Sequence, residues 1–215
     1  MKKNCNEKKL RIDKLRRKDY KTIIKSASIG MHFDWYMEQK WLQNMYGKYF
    51  LYSELLAATN IYTAYYGDEF AGLMLINQKN EKKIYRSFFK SLYVKFFNFI
   101  ERCVDNEVDI YDKTNDMMLA RYEENNAVDG EISFLAANPN LKIRGIGSFL
   151  LAQAEKDLKD KKLYLFTDNA CNYGFYEHMG FSRVDCKSIV LNLPKGDIPL
   201  ECYLFTKVFG SSICE

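Results

Sequence analysis

The stretch from Glu131 to Leu158 constrains this chain more than any other. In Glu131-Ile-Ser-Phe-Leu-Ala-Ala137, the part from Ile132 to Ala137 is a short, nearly apolar run, as expected for a strand buried on both faces. Asn-Pro-Asn-Leu follows, then Lys142-Ile-Arg-Gly-Ile-Gly147. From Phe149 to Leu158 the residues Leu150, Leu151, Ala154 and Leu158 share one helical face. A glycine-containing turn between a strand and a helix start aims several backbone N–H groups in one direction, and the helix dipole adds partial positive charge there. Gly145 and Gly147 lack a Cβ and let an anion approach the main chain, and Lys142 and Arg144 add charge. This is a phosphate seat. Taken alone, the same turn also reads as a tight strand–helix connection with no ligand.

Other phosphate seats do not fit. G-x-x-x-x-G-K-[ST] is absent, and so is the three-glycine dinucleotide pattern with its later acid.

A second block follows. Leu163–Thr167 reads as a strand, Asn169-Ala-Cys-Asn172 follows it, and Tyr173–Met179 reads as a short helix that stops at Gly180, within the block Phe175-Tyr-Glu-His-Met-Gly-Phe181. With these two blocks in order, the chain resembles the GNAT superfamily of acyl-CoA-dependent N-acyltransferases. That family's loop reads [Q/R]-x-x-G-x-[G/A]; here Lys142 stands at the first position, a mild departure because the loop binds mainly through backbone amides. The strong resemblance covers 131–181, and an architectural one extends over roughly 8–210.

The resemblance implies an α/β (α+β) GNAT fold over 8–210. It has one mixed, mostly antiparallel sheet of six or seven strands, splayed between the fourth and fifth, with helices on both faces. It implies acetyl-CoA as cosubstrate, held by Leu135, Ala136 and Ala137 along the pantetheine arm and by Lys142, Ile143, Arg144, Gly145, Ile146, Gly147 and Ser148 at the pyrophosphate. Asn169 and Asn172 would bond the arm, or else cap a helix. Glu131 matches a general base and Tyr176 a general acid near the CoA sulfur. Phe175 and Phe181 are read as core. The implied reaction is acetyl transfer to an amine of a small molecule or peptide. An acyl-CoA sensor without turnover and a phosphate-binding protein of another kind are the alternatives.

The remaining sequence supplies context. Leu10–Leu15 reads as an opening strand, and Asp19 as the cap of a helix over Tyr20–Gly30. An aromatic-rich helical region follows over Trp35–Leu56, then a hairpin of Ile61–Tyr66 and Phe70–Ile76 turning at Gly67-Asp68. Residues 81–125 form a helical insertion. Phe88, Leu92, Phe96, Phe99 and Ile100 share a stripe there, expected to pack on the chain's own sheet as a lid or interface rather than on a membrane. The acids Asp105, Glu107, Asp109, Asp112 and Asp116 read as solvated charge, with attraction for a cationic acceptor as the alternative. Strands near Phe181–Leu191 and Glu201–Val208 close the sheet.

A net charge of +4, mixed in sign even across the basic Lys8–Lys21 stretch, argues against a nucleic-acid partner. Cys5, Cys103, Cys171, Cys186, Cys202 and Cys214 form no C-x-x-C pair, so no metal site is expected and the thiols read as free. The start lacks an apolar signal core, and no apolar run reaches about 18 residues. The expectation is a cytoplasmic protein with no membrane partner and with a homodimer left open. His32 and His178 make no triad.

Overall fold

The computed structural model describes residues 9–101, 108–193 and 196–210. Lys8, Cys5, Cys103, Cys214, Asp105 and Glu107 lie outside the described residues, as do the side chains of Ile100 and Asp109. One sheet of seven strands organises the chain: β1 (Leu10–Ile12), β2 (Asn60–Tyr66), β3 (Glu69–Gln78), β4 (Gly130–Ala137), β5 (Lys162–Asp168), β6 (Ser182–Leu193) and β7 (Gly196–Val208). Their order is β1-β2-β3-β4-β5-β7-β6. All neighbours are antiparallel except β4 and β5.

That exception positions the site. β4 and β5 pair only at Gly130↔Leu163 and Glu131↔Tyr164. The β3–β4 register shifts where Leu75↔Phe134 gives way to Ile76↔Ile132, which leaves Ser133 as an extra residue on β4. A bulge bends its strand. Beyond Glu131, β4 stays on β3 while β5 stays on β7 through Asp168↔Cys202, and the sheet opens between them. The expected splay is present. β4 is accordingly not buried throughout: Ser133, Leu135 and Ala136 are half-buried because one edge faces an opening instead of a strand.

Helices cover both faces. On one, α1 (Tyr20–Gly30) and α3 (Lys40–Ala57) bury Ile23, Leu51 and Leu55 with Leu73 and Phe134. α5 (Val108–Glu123) extends that cover over β5 and β7 through Met118, Tyr164 and Leu204. On the other face, α6 (Ile146–Asp157) buries Leu150, Leu151 and Ala154 against Met74 and Leu165, beside α7 (Gly174–His178). Burial of this kind is worth about 25 cal/mol per Å² of apolar surface.

Several local expectations need correction. The opening strand stops at Ile12, and Asp19 holds the N-cap position of α1 without a side-chain capping bond. Its buried carboxylate instead accepts the Tyr65 hydroxyl at 2.6 Å, across to β2. The aromatic helical region splits into α2 (Phe33–Tyr36) and α3, because the backbone is extended at Met37 and again at Gln39. Only Gly67 needs positive φ in the hairpin turn. α4 (Phe88–Glu101) begins later than the pattern suggested. It packs on α3 through Tyr93 and Phe97, and turns Phe88, Leu92, Phe96 and Phe99 to solvent. The tyrosine-rich flank of the helix was the better match for α3's own rings.

Candidate active site

The turn before α6 is built by its own polar groups. Asn138 donates from Nδ2 to the Phe70 carbonyl at 2.8 Å and accepts the Asn140 amide at 3.0 Å. The Asn138 amide also bonds the Ala71 carbonyl. The loop is thus tied to β3, and it delivers Gly145 as the residue capping α6, at φ +82°. No side chain caps α6. The amides of its first turn have no partner within the helix and point out of its end. A Cβ built at Gly145 would meet nothing within 4 Å, so the space before these amides is open. The backbone suits a diphosphate: donors, dipole and access coincide. Lys142 and Arg144 are exposed on the rim.

The opening between β4 and β5 is a cleft of about 1010 Å³. Leu135, Ala136 and Ala137 line one wall with Ile143, Gly145, Ile146, Gly147 and Ser148, and Tyr176 and Asn172 stand on the other side. The candidates for acyl-CoA binding therefore converge, with three exceptions. Lys142 and Arg144 do not line the cleft. Asn169 is turned away: its Oδ1 accepts the Glu201 amide at 3.0 Å and its own amide bonds the Glu201 carbonyl, which stitches the end of β5 to β7. The turn-capping role belongs to Asp168, whose Oδ1 accepts the amides of Ala170 and Cys171.

Tyr176 sits among Phe175, Phe181 and Phe205. Burial, with help from Cys171, pushes its phenol up to about 12, so it is protonated at neutral pH. Cys171 also lines the cleft; burial first, then Asp168, raises its thiol to about 11, which makes it a poor nucleophile. His178 is exposed on α7, while His32 lines the cleft and stacks on Trp35 at 4.1 Å.

Glu131 lies at the root of the splay, beside Tyr164. Burial first, and then the charge of Glu54, raise its carboxyl to about 7. Its neighbours Ile132 and Ser133 line the cleft, whereas Glu131 itself does not. Glu54, on α3, does line it. Burial raises Glu54 too, with the Ser133 hydroxyl offsetting part of the rise. Sequence reasoning missed Glu54. Its signal was available: it is the only acid between Lys40 and Ala57, in a helix otherwise rich in aromatic and aliphatic residues. Asp112 also lines the cleft, as do Trp35, Tyr36, Tyr46 and Tyr111. Among the described residues no cluster of His, Cys, Asp and Glu is arranged to hold a metal.

Residues 117–181 match the sequence model of the acetyltransferase (GNAT) family. The chain has a GNAT fold. Protein PH1933 from Pyrococcus horikoshii superposes with a TM-score of 0.54 at 16% identity, over 93% of this chain and 99% of that one. A Corynebacterium glutamicum protein described as histone acetyltransferase HPA2 and related acetyltransferase gives 0.53 at 12%, over 95% and 98%. The ribosomal-protein-S18-alanine N-acetyltransferase of Escherichia coli gives 0.50 at 11%, over 95% and 96%. At these identities the likeness establishes the fold, and the family match places the GNAT signature on the end of α5, β4, α6, β5 and α7. No curated protein matches the sequence significantly. The expected resemblance to the GNAT superfamily thus holds in sequence across 117–181 and in fold across most of the chain.

Proposed function

We propose that this chain is a cytoplasmic, single-domain enzyme, over residues 8–210, that moves an acetyl group from acetyl-CoA to an amine by direct attack. One observation carries the reading. The open β4 edge, the free amide end of α6, the Tyr176 phenol and the Glu54–Glu131 carboxyl pair all meet one continuous cleft or its floor.

In this reading the diphosphate rests on the first-turn amides of α6. The pantetheine arm adds like a strand to the β4 edge at Leu135–Ala137. A main-chain amide there holds the thioester carbonyl and stabilises the oxyanion that forms. The amine nitrogen attacks the carbonyl carbon, the C–N bond forms, and the C–S bond breaks. Amines with pKa near about 10 are mostly protonated at neutral pH, so a base is needed. Glu131, raised to about 7, suits that task, and Glu54, whose charge acts on Glu131 and which lines the cleft, is the carboxylate that meets the amine. Tyr176 hydrogen-bonds the departing thiolate. The burial that raises the Tyr176 phenol raises a thiol in the same place as well, as at Cys171, so the two acidities remain close enough for the proton to be shared.

The acceptor end joins Glu54 and Asp112 with several aromatic rings. Carboxylates and ring faces together favour a cation, so the acceptor is an amine that carries its charge until it is bound. The test is thiol release from acetyl-CoA with a panel of small polyamines, aminoalkyl compounds and short peptides. Turnover on a cationic amine is expected. Tight acetyl-CoA binding with no turnover on any amine would instead favour a sensor, and stronger thermal stabilisation by ATP or a dinucleotide than by CoA would favour another phosphate ligand.

A further inference from the structure

α4 is held in one orientation and still shows an apolar face to solvent. Phe97 is buried and stacks on Tyr49 at 5.4 Å, and Tyr93 meets Tyr52 edge-on at 5.5 Å. The Tyr93 hydroxyl donates to the Met45 carbonyl, and Lys90 lies 5.1–5.3 Å from the rings of Tyr20, Tyr52 and Tyr85. Opposite them stand Phe88 (77% exposed), Phe89 (82%), Leu92 (56%), Phe96 (57%) and Phe99 (69%). At about 100° per residue, these positions fall within a single arc of about 100°. A contiguous aromatic face of this kind needs a partner.

The charge around it identifies the partner. From Lys82 to Ile100 the chain carries Lys82, Lys83, Arg86, Lys90 and Lys95 and no acidic residue. Lys82, Lys83, Arg86 and Lys95 are exposed. A groove of about 510 Å³ at the start of α4 is lined by Lys82, Lys83, Arg86, Ser87 and Ser91, directly beside Phe88. Cations and hydroxyls at a helix N-terminus suit a phosphate headgroup. Exposed phenylalanines beside them suit the boundary between headgroups and acyl chains. A second copy docking by a two-fold axis would set these like charges against each other, which disfavours self-association.

We propose that residues 82–99 dock the protein on an anionic lipid bilayer, with headgroup phosphate in the Lys82–Lys83–Arg86 groove and the α4 phenylalanines in the interface. This is peripheral attachment, since no described helix is long and apolar enough to cross a membrane. It departs from the expectation that this helix packs on the chain's own sheet as a lid or interface with no membrane partner. Catalysis is not needed for it, so its failure and that of the proposed reaction are separable.

The experiment is cosedimentation of the full chain with vesicles of phosphatidylcholine alone or with roughly one third phosphatidylglycerol, whose negative surface potential attracts basic segments. Binding to the anionic vesicles alone is expected, weakening as salt rises. The double variant Phe89→Ser/Phe96→Ser should lose about tenfold or more in lipid partitioning, and Lys82→Glu/Lys83→Glu should lose a similar factor. All four side chains are exposed, so both variants should keep the wild-type melting temperature and acetyl-CoA affinity. The proposal is overturned by absence of binding to either vesicle, by equal binding to both, by binding that survives both variants, or by a solution dimer that the phenylalanine variant dissolves without any lipid binding.

Discussion

The ring of Phe175 lies over Gly147 so closely that a Cβ there would sit 2.8 Å from its Cζ. Gly147 is thus constrained by packing, besides its place on the wall of the cleft. The contact joins the two sequence blocks of the site, because Gly147 lies in the first turn of α6 and Phe175 in the first turn of α7. Gly147→Ala should raise KM for acetyl-CoA and destabilise by about 1–3 kcal/mol, the usual cost of overpacking. In a Phe175→Leu background the alanine should cost far less. Calorimetry of the four proteins measures this coupling, and simple additivity would mean that the ring moves aside freely.

Glu131 makes the activity depend on pH in a defined direction. Its carboxyl is raised to about 7, so the base is half ionised near neutrality and kcat/KM should climb with pH through that region. The charge of Glu54 contributes to the rise, so Glu54→Gln should move the midpoint to lower pH while also weakening turnover. The sign for stability is the opposite one. A carboxyl whose folded pKa exceeds its unfolded value favours folding at low pH and loses that contribution as pH rises through about 7. Glu131→Gln should therefore be the more stable protein at pH 8, by on the order of 1–3 kcal/mol, and the less active one. A flat pH profile in the wild type would remove Glu131 from proton transfer.

Tyr176→Phe should lower kcat by roughly tenfold to a hundredfold and leave CoA affinity nearly unchanged. The phenol at about 12 is too weak an acid to protonate a water-exposed thiolate outright, so the loss belongs at the low end of general-acid effects. The ring that packs on Phe181 and Phe205 is retained in the variant, which makes destabilisation small. Full turnover with this variant would leave the thiolate to be protonated by the acceptor's own proton.

The parts of this fold written in local pattern were the legible ones. The strand–turn–helix of 131–158 needs only near neighbours to form, and the phosphate seat proposed for it rests on backbone ends. The seven-strand sheet and the splay came through the family resemblance, and the bulge at Ser133 that bends β4 has no signal in its residue types. Readings failed where distant partners decide. Asp19 gave up a cap for Tyr65, and Asn169 gave up the cleft for Glu201. α4 carries apolar residues on both flanks, so periodicity alone selected the wrong one, and only the rings of α3 settle that Tyr93 and Phe97 face inward.

Gly145 offers the cleanest test of the phosphate seat. It adopts φ +82°, which side chains resist, but a Cβ there meets no protein atom within 4 Å. Strain and ligand exclusion can therefore be separated. Gly145→Asn tolerates the left-handed region and should cost only a few tenths of a kcal/mol to about 1 kcal/mol in stability. Gly145→Val adds strain of about 1–2 kcal/mol. Both fill the space before the first-turn amides of α6, so both should weaken CoA binding at least tenfold, with the larger melting-temperature loss in the valine variant alone. Isothermal titration with CoA and with dephosphorylated pantetheine checks the assignment. The pantetheine, which carries no diphosphate, should bind wild type and Gly145→Asn alike, whereas CoA should tell them apart. Equal CoA affinity in both proteins would move the diphosphate to another surface.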